Sequence, residues 1–122
     1  MTEFAFRPRE HLRRPADFKA VYALRCSASD PAIIVYARVN CLDHNRLGLS
    51  VSKKNGNAVV RNRIRRVLRE AYRLSRQPDV VGYDVIVIPR SSELPSLAEL
   101  IVALPLVIRD AAKRAARKNG GP

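Results

Sequence analysis

Residues 46–76 read RLGLSVSKKNGNAVVRNRIRRVLREAYRLSR, and within them the hydrophobic period changes from that of a strand to that of a helix. Over 46–52, Leu47, Leu49 and Val51 alternate with Gly48, Ser50 and Ser52, which predicts a strand with one apolar and one bare face. KKNGN, 53–57, is a loop ending on Asn57, whose side chain suits a helix N-cap. From 58 to 76, Val60, Ile64, Val67, Leu68, Ala71 and Leu74 gather within about a third of a helix circumference. Arg61, Arg65, Arg69, Arg73 and Arg76 fall opposite, with Asn62 and Arg66 beside them and Arg63 at the apolar edge.

The charge of this stretch is one-sided. Residues 53–76 hold nine Lys and Arg, including Lys53 and Lys54, against the single acid Glu70, a net +8 of the chain's +12. Solvated helix faces usually mix signs, because like charges one turn apart cost a few tenths of a kcal/mol. A helix carrying seven arginines and no lysine fits bidentate contacts to phosphate. A duplex-DNA recognition helix wants neutral base-reading side chains and a partner helix just before it, whereas a strand precedes this one. RNA is the favoured polyanion. A membrane surface is the competitor, and it would need Trp, Phe or Leu on the other helix face and a lipid-level anchor.

On the N-terminal side, PADFKAVYAL, 15–24, predicts a helix with Pro15 in its first turn and Phe18, Val21 and Tyr22 on one face. AIIVYARV, 32–39, is a β-branched strand with Ile34, Tyr36 and Arg38 on one side, and CLDHN, 41–45, reads as a hairpin connection to the next strand. On the C-terminal side, YDVIVIP, 83–89, is apolar almost throughout and so central in a sheet. Ser96 and Glu99 form a capping-box pattern opening a last helix to about 117, which Pro105 is expected to kink. The order is α-β-β-α-β-α, an α+β sandwich of one small sheet and packed helices.

At 122 residues the chain fits one domain, and 47% apolar residues can supply its core. No apolar run approaches the ~20 residues of a membrane span, and the first fifteen residues lack a signal-peptide core, so a cytoplasmic location is expected. Order is expected over roughly 8–117, with ARKNGGP at 116–122 frayed.

Catalytic and metal chemistry find little to work with. Glu70 reads as an intrahelical partner for Arg66 or Arg73, not as part of a carboxylate cluster for metal ions. His11 and His44 read as surface histidines, and Cys41 with His44 supplies only half of a zinc site. KKNGN lacks the strand–GxxxxGK pattern of a phosphate loop. No catalytic residue and no metal ligand is assigned.

SVSKKNGNAVVRNRIRRVLREAYR resembles the signature of the protein subunit of bacterial ribonuclease P, K-K-x-G-N-A-V-x-R-N-R-x-K/R-R-x-x-R-E. LRRPADFKAVY, IVYARV, RLGLSVSKK and GYDVIVIPR extend the likeness over roughly residues 10–115, with Asn55 and Pro105 as departures. The resemblance implies a two-layer α-β-β-α-β-α sandwich with a left-handed βαβ crossover, as in a ribosomal-protein domain. It implies that Arg61, Asn62, Arg63, Arg65, Arg66 and Arg69, with Lys53 and Lys54 before them, dock on a catalytic RNA. Arg73 lies on the same helix face by its spacing. It further implies a cleft for the single-stranded 5′ leader of precursor tRNA, matched here by Phe18, Tyr22 and Tyr36; Arg38 shares the strand side of Tyr36. The residues alone leave Phe18 and Tyr22 open between cleft and core. The expected holoenzyme uses Mg2+ held mainly by RNA and none bound by the protein alone, and the free protein is expected to be a monomer. A ribosomal protein or RNA chaperone without a role in cleavage is the alternative.

Overall fold

The computed structural model describes residues 6–118. Its elements are α1 (Pro15–Ala23), β1 (Ser27–Ser29), β2 (Ile33–Val39), β3 (Arg46–Leu49), α2 (Ala58–Ser75), β4 (Tyr83–Pro89) and α3 (Leu97–Lys118), with short 3-10 turns at Pro8–Glu10 and Lys53–Asn55. The expected fraying at 119–122 lies outside the described residues, while residues 116–118 continue α3.

One mixed sheet runs in the order β1-β2-β4-β3. β4 takes the centre, antiparallel to β2 and parallel to β3, as its unbroken apolar run requires. This corrects the hairpin expected at 41–45. β2 and β3 are not neighbours, because β4 inserts between them, and Cys41 turns the chain with φ +60°. β3 and β4 are joined through α2, a βαβ crossover. β1 escaped the sequence reading, since Ser27-Ala28-Ser29 carries no apolar alternation, yet it pairs with Ile34–Tyr36. β3 ends at Leu49, and Ser52 instead caps the following 3-10 turn by accepting from the Lys54 amide.

Odd-numbered residues of β2 and β4 face the main core. Ile33, Val35, Ala37, Val85 and Val87 meet Ile64, Leu68 and Ala71 of α2 and Leu100, Leu104 and Ala111 of α3. The buried stripe of α2 is turned from the expected one toward Tyr72, which is buried, leaving Val67 and Leu74 half-exposed and Arg61 and Arg65 half-buried. The opposite sheet face carries a smaller cluster, Val21 of α1 with Leu12 and Ile86. The N-terminal segment runs along the outer side of β3, where the Leu12 amide donates to the Leu47 carbonyl at 2.8 Å and protects the sheet edge.

The expected helix starts are present. Asn57 Oδ1 accepts from the Val60 amide at 3.0 Å, and Ser96 Oγ accepts from the Glu99 amide at 3.2 Å. α3 runs unbroken through Pro105. Asn55, which departs from the resembled pattern, is buried and fully used. Its amide donates to the Pro89 and Ser91 carbonyls and its oxygen accepts from the Ser52 amide, pinning the lysine turn to the end of β4. Gly56 follows at φ +125°, a backbone state that side chains disfavour, and delivers the chain into α2.

Leu68 is fully buried at the centre of this packing. Leu68→Ala is expected to lower unfolding free energy by about 2–5 kcal/mol in a urea titration, with no loss of RNA affinity in the folded fraction.

Candidate nucleic-acid interface

α2 projects its cations outward because its buried stripe fixes its rotation. Asn62, Arg65, Arg66, Arg69 and Arg73 line a surface groove of about 430 Å³, with the Phe6 ring at one wall. Asn62 Oδ1 accepts from Arg65 at 2.9 Å and so orients that guanidinium. Glu70 pairs with Arg73 at 2.6 Å, the intrahelical role expected of it. Lys53 and Lys54 are exposed on the 3-10 turn just before the helix. Arg61 and Arg63 leave this groove. Arg61 is half-buried, and Arg63 faces the segment 92–97 beside Ile64 and Val67.

A second groove, about 410 Å³, lies between α1 and α2 and shares Arg65 and Arg69 with the first. Its walls include Phe18, His11 and Arg13. Phe18 is half-buried over Gly48, where an added Cβ would lie 2.6 Å from the ring's Cζ. That close approach explains why β3 is bare on this face. Tyr22 and Tyr36 meet edge to face, with ring centroids 5.1 Å apart, and both are half-buried. The aromatic residues therefore rim the smaller core cluster and also border the surface.

Arg38 sits apart from the basic groove, at the end of the sheet where Asp84 is completely buried. Asp84 accepts from Arg38 at 2.8 Å, from Arg46 twice at 2.7 Å and from Asn40 at 2.9 Å. Burial alone raises an aspartate pKa, but these hydrogen bonds outweigh it and hold Asp84 below its usual range. Arg46 also reaches Asp17 of α1 at 3.6 Å. Two arginines thus meet two aspartates, and the excess positive charge lies toward α2. Sequence reasoning missed this network, since Asp84 sits inside an apolar strand with no local partner. It missed His11 and Arg13 as groove walls for a similar reason, because only the course of the N-terminal segment along β3 brings them to α2.

Among the described residues no three His, Cys, Asp or Glu side chains converge as a metal site, and the Asp84 oxygens are occupied by arginine and asparagine donors. The described residues therefore do not fit a magnesium site of their own. No helix among the described residues is long and apolar enough to cross a membrane.

Sheet, crossover and arginine face define a small basic α+β domain of the RNA-binding kind. The ribonuclease P family matches residues 6–104. A ribonuclease P protein component from Alkaliphilus oremlandii (strain OhILAs) is 41% identical over 81 residues, covering 66% of this chain and 71% of that one. The structure of Staphylococcus aureus RNase P protein is similar with a TM-score of 0.71 at 34% identity, over 82% of this chain and 93% of the other. That of Thermotoga maritima RNase P protein gives 0.68 at 30%, over 82% and 96%. The chain belongs to the ribonuclease P protein family, the protein subunit of the tRNA-processing endoribonuclease, and its partner in that complex is RNA. The ribosomal-protein and chaperone alternative falls with that match.

Proposed function

We propose that the arginine face of α2 docks on the catalytic RNA subunit while the aromatic cleft beside it holds the 5′ leader of precursor tRNA. One observation carries this reading: a cationic helix face with a single acid adjoins, through Arg65 and Arg69, a groove walled by an aromatic ring. Lys53, Lys54, Asn62 and the outward arginines neutralise and bridge phosphates of the folded RNA, which lowers its demand for magnesium. The RNA supplies the phosphodiester hydrolysis, with water as nucleophile and a 5′-phosphate left on the mature tRNA, and it holds most of the Mg2+. Phe18, Tyr22 and Tyr36 offer ring surface to an unpaired strand, a sequence-tolerant grip. Arg38 acts there mainly through Asp84, as part of the network that fixes the end of the cleft. The free protein works as a monomer in the cytoplasm.

Reconstitution with catalytic RNA at low magnesium tests this reading, leader removal being the readout; cleavage unaffected by the protein would refute it. Within the holoenzyme, Tyr22→Ala is expected to weaken binding of precursor tRNA by roughly 1–3 kcal/mol and to leave mature tRNA, which has no leader, nearly unchanged. Tyr22→Phe keeps the ring and should be milder. An unchanged ratio of precursor to mature affinity in a folded Tyr22→Ala protein would return that ring to the core.

A further inference from the structure

The N-terminal segment builds a short column of rings against α2. Phe6 and His11 stack with centroids 3.8 Å apart and planes 22° from parallel. Tyr72 meets Phe6 at 5.4 Å in a tilted contact, and the Arg76 guanidinium carbon lies 5.8 Å from the Phe6 ring centroid. Phe6 is half-buried between these groups, and among the described residues His11 ends the column. His11 also lines the groove between α1 and α2, together with Phe18, Arg13, Arg65 and Arg69. Its backbone bridges to Leu47 of β3, which contributes to the same groove and fixes where the imidazole stands.

From this arrangement the geometry points to a nucleobase slot at His11, in which one unpaired base of single-stranded RNA extends the Phe6–His11 stack while Arg13, Arg65 and Arg69 take the flanking phosphates. Three features support it. The groove volume, about 410 Å³, falls within the range of clefts that hold small ligands. Partial burial, reinforced by Arg13 and Arg69, pushes the His11 pKa below its usual value and so favours the uncharged ring, which stacks at lower desolvation cost. The groove shares Arg65 and Arg69 with the face of α2 and Phe18 with the aromatic cleft, so the slot lies where a strand would pass from one to the other. The inference rests on the RNA-binding reading above and adds to it a specific residue and a specific contact.

The test uses the full chain and a uridylate hexamer carrying 2-aminopurine at one central position, whose fluorescence falls when the base stacks. Wild type should quench the probe. His11→Ala should relieve the quenching and weaken binding by roughly 5- to 150-fold, the range expected for one lost base–ring stack. His11→Phe, which keeps a ring but no nitrogen, should retain both. An abasic residue in place of the 2-aminopurine should make wild type and His11→Ala bind alike. The slot is overturned if His11→Ala binds and quenches as wild type does, or if His11→Phe fails as completely as His11→Ala. The Arg65→Ala/Arg69→Ala protein separates the slot from the RNA-binding reading beneath it. If it loses the hexamer while His11→Ala does not, the slot fails and the RNA-binding reading stands. If neither variant loses affinity, both fail.

Discussion

Asp84→Ala is expected to cost about 3–5 kcal/mol of folding free energy, because it strips the charge network of the one carboxylate in it that is fully buried. That carboxylate is fully buried, and its removal leaves Arg38 and Arg46, each about a quarter exposed, without the counter-charge that holds them against the sheet. The link from β4 through Arg46 to Asp17 of α1 loosens with it, so Phe18 loses its fixed place over Gly48. The sign of the pH effect follows from the depressed pKa. Unfolded aspartate titrates near pH ~3.9, so the stability contributed by Asp84 is complete above that value and is lost as pH falls through its lower folded pKa. Urea titrations at neutral pH should therefore show the full difference between wild type and variant, and titrations below the folded pKa a smaller one. A wild-type midpoint for Asp84→Ala at neutral pH would show that the network is dispensable.

The second large effect concerns affinity. Arg65→Ala/Arg69→Ala is expected to weaken assembly with the catalytic RNA by about 3 kcal/mol or more, since each hydrogen bond to a charged group is worth ~1.5–3 kcal/mol. Both arginines border both grooves, so no other pair of cations on α2 bears on as much of the surface. Stability should change little, within about 0.5 kcal/mol, because relieved repulsion offsets the lost bond between Arg65 and Asn62. A filter-binding titration against the reconstituted RNA measures the first quantity and a thermal melt the second. Undiminished affinity would mean that the arginine face is only a solvated one.

The legible parts of the fold were those with a local cause. Asn57, Ser96 and Pro15 marked helix starts because their capping or backbone preferences act within one turn. The apolar run of β4 announced its central place. What stayed hidden depended on contacts distant in sequence. The hairpin expected after β2 failed because nothing in CLDHN shows that β4, some forty residues on, will enter between its flanking strands. The rotation of α2 toward Tyr72 follows from packing against the sheet and α3, which periodicity alone cannot weigh. At the interface, the arginine spacing gave the charged face directly, and the structure divides it, drawing Asn62, Arg65, Arg66, Arg69 and Arg73 to one groove and turning Arg63 away. Arg38 reads from its strand side as a neighbour of Tyr36, and its bond to Asp84 stays out of sight because that partner lies on another strand.

The salt dependence of RNA binding tests the phosphate-docking claim most directly. If about five arginines each neutralise one phosphate, the logarithm of the association constant should fall against the logarithm of salt concentration with a slope of roughly −3.5 to −4.5. The Arg65→Ala/Arg69→Ala protein, short of two contacts, should give a slope shallower by about 1.4–1.8. A nearly flat dependence in the wild-type protein, or an identical slope in the double variant, would contradict the account.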